Sequence, residues 1–359
     1  MDANRDFCGK LPIFDDFGIK KILCRFVLEK EFSIMIIGRF KRLSYLGTYT
    51  LLVSAMASCG GHQGSSTDSS RQADTLAIDS VSAINYEGGT IKTRYNVPPK
   101  FHRVKAERGS FAEYLQNLPL KSMDTSVHFY DGATKENNIG SAVIDLDLDT
   151  VDTQDAIGSI IRLRGEYLYK SGQYDKIRFH LNKNFIADFP HWTKGYRIVK
   201  KGNKMSWIKV GKEEDFSYEN FRAYLSAVMG YANMQTLEMD LKKIDEEEFG
   251  IGTIIFSDES PQHAAIVVDM IKMDKDVSVS GWKDMVGVLL AQGGAPAQEI
   301  EIIGGNGDEF SLFPKHSDFV NYWTTTSYGE RFINKQGGTL LTKDKTFINK
   351  KIFIFNDKN

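Results

Sequence analysis

Cysteine is scarce in this sequence: there are three among 359 residues, and none follows Cys59. That excludes a cysteine nucleophile, a thiolate metal site and any disulfide from everything beyond that point. Excess charge of one sign is missing too. Basic residues number 45 and acidic residues 47, so there is no basic footprint for nucleic acid. The apolar run Leu46 to Met56 is too short to cross a bilayer as a helix, which takes about 20 residues. No internal repeat is visible.

What is present near the start reads as an address. Arg39, Lys41 and Arg42 precede that run, and Met56-Ala57-Ser58-Cys59-Gly60 closes it. Charge, apolar core and small residues follow one another as in an export signal. Cys59 sits where a bacterial lipoprotein presents the cysteine that is acylated. The mixed acidic and apolar segment before Met35 has no part in such a signal, so translation is expected to begin at Met35 within a signal region 1–58. Residues 59–93 are rich in Gly, Ser, Thr and Asp and are expected to form a lipid-anchored flexible linker. Membrane contact is thus expected through a lipid anchor, which several acyl chains make firm. The expected location is the cell envelope, on the periplasmic side or the cell surface.

The remainder has the composition of a globular domain, with 42% hydrophobic residues and abundant Phe and Tyr. Ser110-Phe111-Ala112-Glu113 spells a capping box, and Pro119 is expected to end its helix. Val127 to Tyr130 reads as a strand before the Asp131-Gly132 turn, and Ala142 to Asp149 as a half-buried strand at period two. A long helix is expected from about Gln154 to Lys170, capped by Thr153 or Asp152. Strands follow at 176–181, 196–200 and 205–210, then a helix capped by Ser217, then strands at 253–256, 263–270 and 286–290. Early helices followed by closely spaced strands indicate α+β.

Three sets of residues are candidates for chemistry. Asp145, Asp147 and Asp149 open like a calcium loop, but Thr150 and Ala156 stand where such a loop needs Gly and Glu. Neither a metal nor a cofactor is expected. Trp192 and Tyr196, beside His191, are candidates for an aromatic wall against a ligand, with core packing the simpler reading. His263 opens a buried strand, where a histidine is most simply a structural group. Its chain order adds to this. Papain-like cell-wall hydrolases place a nucleophile at a helix N-terminus, a general-base histidine at the start of a later strand, and an orienting polar residue on the next strand. The helix near Asp155, His263 and Gln292 occupy that order.

From about Arg108 to Ile303 the chain resembles a family of Bacteroidota lipoproteins, domain of unknown function 4846. The strings that carry the resemblance are Gly109 to Leu115 with Leu118-Pro119-Leu120, Tyr130-Asp131-Gly132, Arg162 to Leu168, His263 to Asp269, and Leu289-Leu290-Ala291-Gln292 with Pro296-Ala297-Gln298. The family looks distantly like NlpC-type papain-like peptidases. The resemblance implies a papain-like α+β domain over residues 94–310, with an N-terminal helix packed on a mainly antiparallel sheet. It leaves 311–359 as a C-terminal extension of unknown role. It also implies a cysteine near the helix start, where this chain has Ala156. Gly252-Thr253 and Pro261-Gln262-His263 depart from the family's Gly-Asp and Pro-Gly-His.

Together these features lead to the expectation of a pseudoenzyme, with His263 and Gln292 left from a catalytic site and Ala156 at the nucleophile position. Such a domain would bind peptide or glycan, peptidoglycan included. The rival readings are an active hydrolase using a non-cysteine nucleophile, Ser159 being the nearest, and a purely structural surface lipoprotein.

Overall fold

A computed structural model describes residues 82–136, 140–211, 214–257, 263–275, 286–305, 318–325, 339–341 and 346–357. Met35, the apolar run to Met56, and Cys59 lie outside the described residues, as do Pro261 and Gln262.

The described helices are α1 (Ile91–Arg94), α2 (Phe111–Gln116), α3 (Ala156–Lys170), α4 (Phe189–Thr193), α5 (Tyr218–Met229) and α6 (Met234–Glu238). The strands are β1 (Phe101–Arg103), β2 (Gly140–Val143), β3 (Arg178–Asn182), β4 (Phe185–Asp188), β5 (Tyr196–Lys201), β6 (Lys204–Lys209), β7 (Leu241–Lys243) and β8 (Ile254–Ser257). They continue with β9 (His263–Met273), β10 (Val286–Gln292), β11 (Glu301–Ile303), β12 (Thr324–Thr325), β13 (Thr339–Leu341), β14 (Thr346–Ile348) and β15 (Lys351–Phe355). The fold mixes helices with a mainly antiparallel sheet. Its main sheet runs β2-β11-β10-β9-β8-β15-β7, with β1 added beside β9 and β12 beside β10.

The sheet is buried on both faces, and β9 explains how. Ala264, Ile266 and Val268 face the helices, beside Ile254 and Phe256 of β8 and Leu289 and Ala291 of β10. Ala265, Val267 and Met270 face the other way, with Val288 and Leu290, against Leu340 and Phe347 of the β13–β14 hairpin. A strand with two buried faces needs a continuous apolar run, and Ala264 to Val268 supplies one, followed by Asp269, which is buried against Arg103. The register between β9 and β10 slips where Leu289 faces Asp269 but Leu290 faces Val267. The extra residue, Val268, is a bulge that switches which side chains meet the helices.

Several sequence expectations shift here. Residues 83, 84 and 91 belong to the main core, so the expected linker to residue 93 gives way to folded chain within the described residues. The C-terminal segment is not separate either. β15 lies between β8 and β7 in the main sheet, and Trp323 is buried, donating Nε1–H to the Asn96 carbonyl at 3.1 Å. Val127 to Tyr130 makes only isolated bridges, His128 to Thr134 and Phe129 to Gln298. The Ala142 strand stops at Val143; Ile144 makes only an isolated bridge to Leu120, and Leu146 is buried in the main core. Ser110 accepts from the Glu113 N–H at 3.2 Å, but the Glu113 carboxylate reaches the Gly109 N–H, so the box is displaced by one residue. α2 ends at Gln116, before Pro119.

Candidate functional site

Three chain segments converge at one end of the central strands of the main sheet: the start of α3, the start of β9 and the end of β10. Asp155, not Thr153 or Asp152, caps α3, and its Oδ1 accepts the Gly158 N–H at 2.8 Å. An aspartate just before the first apolar residue of the period is an N-cap signal, which makes Ala156 the first helical residue. Glycine at 293 lets the helix start sit close to the end of β10. A Cβ there would lie 1.9 Å from Ser159 Oγ and 2.8 Å from the Asp155 carbonyl oxygen.

His263 is the first residue of β9 and Gln292 the last of β10. Their side chains meet, His263 Nε2 to Gln292 Oε1, at 2.6 Å. The amide's orientation follows from its other partner. Gln292 Nε2 donates to Glu301 Oε1 at 3.1 Å, and a carboxylate only accepts. Gln292 therefore presents its oxygen to the imidazole, and His263 Nε2 is a donor. In the neutral ring the lone pair is then on Nδ1. Glu301 is fully buried and faces Gln292 across the β10–β11 ladder. Its Oε1 also accepts from Lys135 Nζ at 2.6 Å and from Gln298 Nε2 at 3.1 Å. The network holds Gln292, and Gln292 holds His263.

Ala156, Ile157, His263 and Gln292 line a cavity of about 340 Å³, shared with Asp155, Lys135, Gln298, Asn233, Met234, Phe129 and the loop 293–296. That volume falls within the range of about 300–1,000 Å³ usual for small-ligand sites. Burial pushes the Asp155 carboxyl up from its ordinary value, against the N–H groups of Gly158 and Ile157 and against the charge of His263.

Ser159, the alternative nucleophile, is buried, and its hydroxyl donates to the Asp155 carbonyl at 2.8 Å. It does not line the cavity. Trp192 and Tyr196 do not line it either. Trp192 is buried, donates Nε1–H to Asn220 Oδ1 at 2.9 Å and carries the Arg197 guanidinium 4.2 Å from its ring centroid. Tyr196 packs edge-on against His191 at 5.7 Å. These are packing contacts, the simpler of the two readings of this aromatic group.

The acidic row meets arginine. Asp147 accepts from Arg162 at 3.1 Å and Arg222 at 2.6 Å, and Asp149 accepts from Arg222 at 2.5 Å. Burial opposes ionisation of Asp147, but Arg222 and Arg162 outweigh it and hold its carboxyl below the ordinary range. Arg162 also pairs with the fully buried Glu166 at 2.7 Å. Among the described residues, no cluster of His, Cys, Asp and Glu could hold a metal. A second cavity, beside Arg164, His180 and Asp240, measures about 50 Å³. That is room for a water or two.

Sequence reasoning missed Lys135, Asp155 as a cavity residue, Glu301 and the role of Gly293. Only Asp155 left a local signal, as a helix cap. The family model described as Domain of unknown function (4846) matches residues 91–326. The chain belongs to that family. Comparison with curated proteins and with solved structures finds no match. The matched region contains the whole His263–Gln292–Glu301 network and all residues lining the larger cavity of this chain. Among the described residues, no helix is long and apolar enough to cross a membrane.

Proposed function

We propose that this chain is a lipid-anchored envelope protein whose papain-like, NlpC-like domain binds a peptide or glycan, peptidoglycan among them, without cleaving it. The reading rests on one observation: Ala156 at the start of α3 and the paired His263 and Gln292 line a single ligand-sized cavity. A methyl group cannot attack a carbonyl, and the hydroxyl of Ser159 is engaged with the helix backbone. What remains is a histidine held by Gln292, lining a cavity whose helix-start position carries no nucleophile. The cavity also speaks against a purely structural role, for which no ligand-sized space is needed. The anchor rests on the Leu46–Cys59 string alone.

The test is calorimetric titration of the full chain with purified muropeptides and glycan fragments, with the mixtures read afterwards by mass spectrometry. Binding without cleavage is expected, and Ile157→Trp, which fills the cavity, should abolish it while the thermal melt stays cooperative. Cleavage by the wild type, or no binding across the panel, would overturn the proposal. Labelled palmitate should enter the wild type and not Cys59→Ala. Equal labelling of both would remove the anchor.

A further inference from the structure

The β5–β6 hairpin concentrates positive charge in a chain that has none in excess. Between Lys194 and Gly211 the sequence carries Lys194, Arg197, Lys200, Lys201, Lys204 and Lys209 and no acidic residue, while the whole chain has a net charge of −2. The hairpin is a two-stranded sheet of its own, outside the main sheet. Cross-strand partners share a face. Ile198 with Trp207, and Lys200 with Met205, form the inner face, and Ile198, Trp207 and Met205 pack on the helical core. Val199, Lys201, Lys204, Ser206 and Ile208 form the outer face. Arg197 shares that register but turns back onto Trp192. Lysines 201 and 204 are exposed at the turn. Ile208 is 45% exposed, and Val210, just past the strand, is 61% exposed. Asp215 lies at the base of the hairpin, where its N–H donates to the Thr193 carbonyl, at the opposite end from the lysine-bearing turn.

We propose that this outer face docks on an anionic lipid surface, as a contact separate from any lipid anchor. Lysines at the turn, an acid-free strand pair and exposed aliphatic side chains toward its base are the chemistry of interfacial binding. The ammonium groups meet phosphate headgroups, and Ile208 and Val210 reach the acyl boundary. A soluble polyanion would be served by the lysines alone and gives no use to Ile208 and Val210.

The experiment uses the full chain carrying Cys59→Ser, so that no acyl chain contributes. It measures flotation with vesicles of phosphatidylcholine alone or with about a third phosphatidylglycerol. The anionic vesicles should capture the protein and the neutral ones should not, and raised salt should release it. Lys201→Ala with Lys204→Ala should weaken partition to anionic vesicles by about 30-fold, near fivefold for each lysine. Ile208→Ser should weaken it with the salt dependence unchanged. Both changes are on the exposed face, and a melt matching the parent shows that the fold is intact. Equal capture by neutral and anionic vesicles, or a lysine variant that partitions like its parent, would overturn the proposal. So would tight retention on immobilised polyphosphate with no capture by anionic vesicles, which would assign the face to a soluble polyanion.

Discussion

Placing a thiol at the start of α3 is the sharpest test of the proposed site. Consider Ala156→Cys in a full chain whose Cys8, Cys24 and Cys59 are serine, so that the protein carries one thiol. Ala156 is the first residue of a 15-residue helix. The positive end of such a helix stabilises a nearby anion by about 1 kcal/mol, which lowers a thiol pKa by about 0.7 unit at 1.36 kcal/mol per unit. An imidazolium at His263, across the same cavity, lowers it further, and a free thiol titrates near 8.5. Asp155 works in the opposite direction, since its carboxylate already caps the helix and feels His263. The net expectation is a thiol that titrates below about 7.5. Adding His263→Ala should raise that value, and adding Asp155→Asn should lower it. The assay is the pH dependence of iodoacetamide alkylation, followed by mass spectrometry. A thiol that titrates at or above 8.5 and is indifferent to His263 would refute the argument that these groups share one electrostatic site.

Gly293→Ala should be strongly destabilising, since its methyl would sit 1.9 Å from Ser159 Oγ and 2.8 Å from the Asp155 carbonyl oxygen. Overpacking of this kind typically costs about 1–3 kcal/mol, and Ser159→Gly should relieve only part of it, as urea melts of the single and double variants would show. Burial lowers the amine of Lys350 from 10.5 to about 8. Between those two values the unfolded chain binds more protons than the native one, so stability should rise as pH climbs through that window. Lys350→Met should flatten the rise in thermal melts taken across it.

Much of the secondary structure was legible because local periodicity survives tertiary packing. α3 and α5, with their polar caps and apolar stripes, could be placed to within a residue or two, as could the hairpin around Gly202. Boundaries slipped where packing overrode the local pattern. The alternation of Ala142 to Asp149 reads as a strand along its length. Arg162 and Arg222 instead draw Asp147 and Asp149 onto the helices, so the ladder stops at Val143. Trp192 looked available as a ligand wall because nothing in the sequence places Asn220 beside its ring nitrogen.

The sequence alone determined the chemical limits. With no cysteine beyond Cys59, the domain has no thiol for catalysis, and its near-neutral charge removes the usual reason to bind nucleic acid. The tertiary structure decided which residues meet. Lys135, Asp155, His263, Gln292 and Glu301 span 167 positions of sequence separation from first to last, 135 to 301 counted inclusively. Only an antiparallel sheet that brings the start of β9 and the end of β10 to the same end of the strands, with Gly293 letting α3 approach, places Lys135, Asp155, His263 and Gln292 around one cavity, with Glu301 behind Gln292. The same holds for the tail: β15 is an ordinary apolar segment until the open edge of β8 accepts its backbone hydrogen bonds. Composition and local pattern act through nearest neighbours, whereas a site of this kind is made by contacts between residues far apart in the chain.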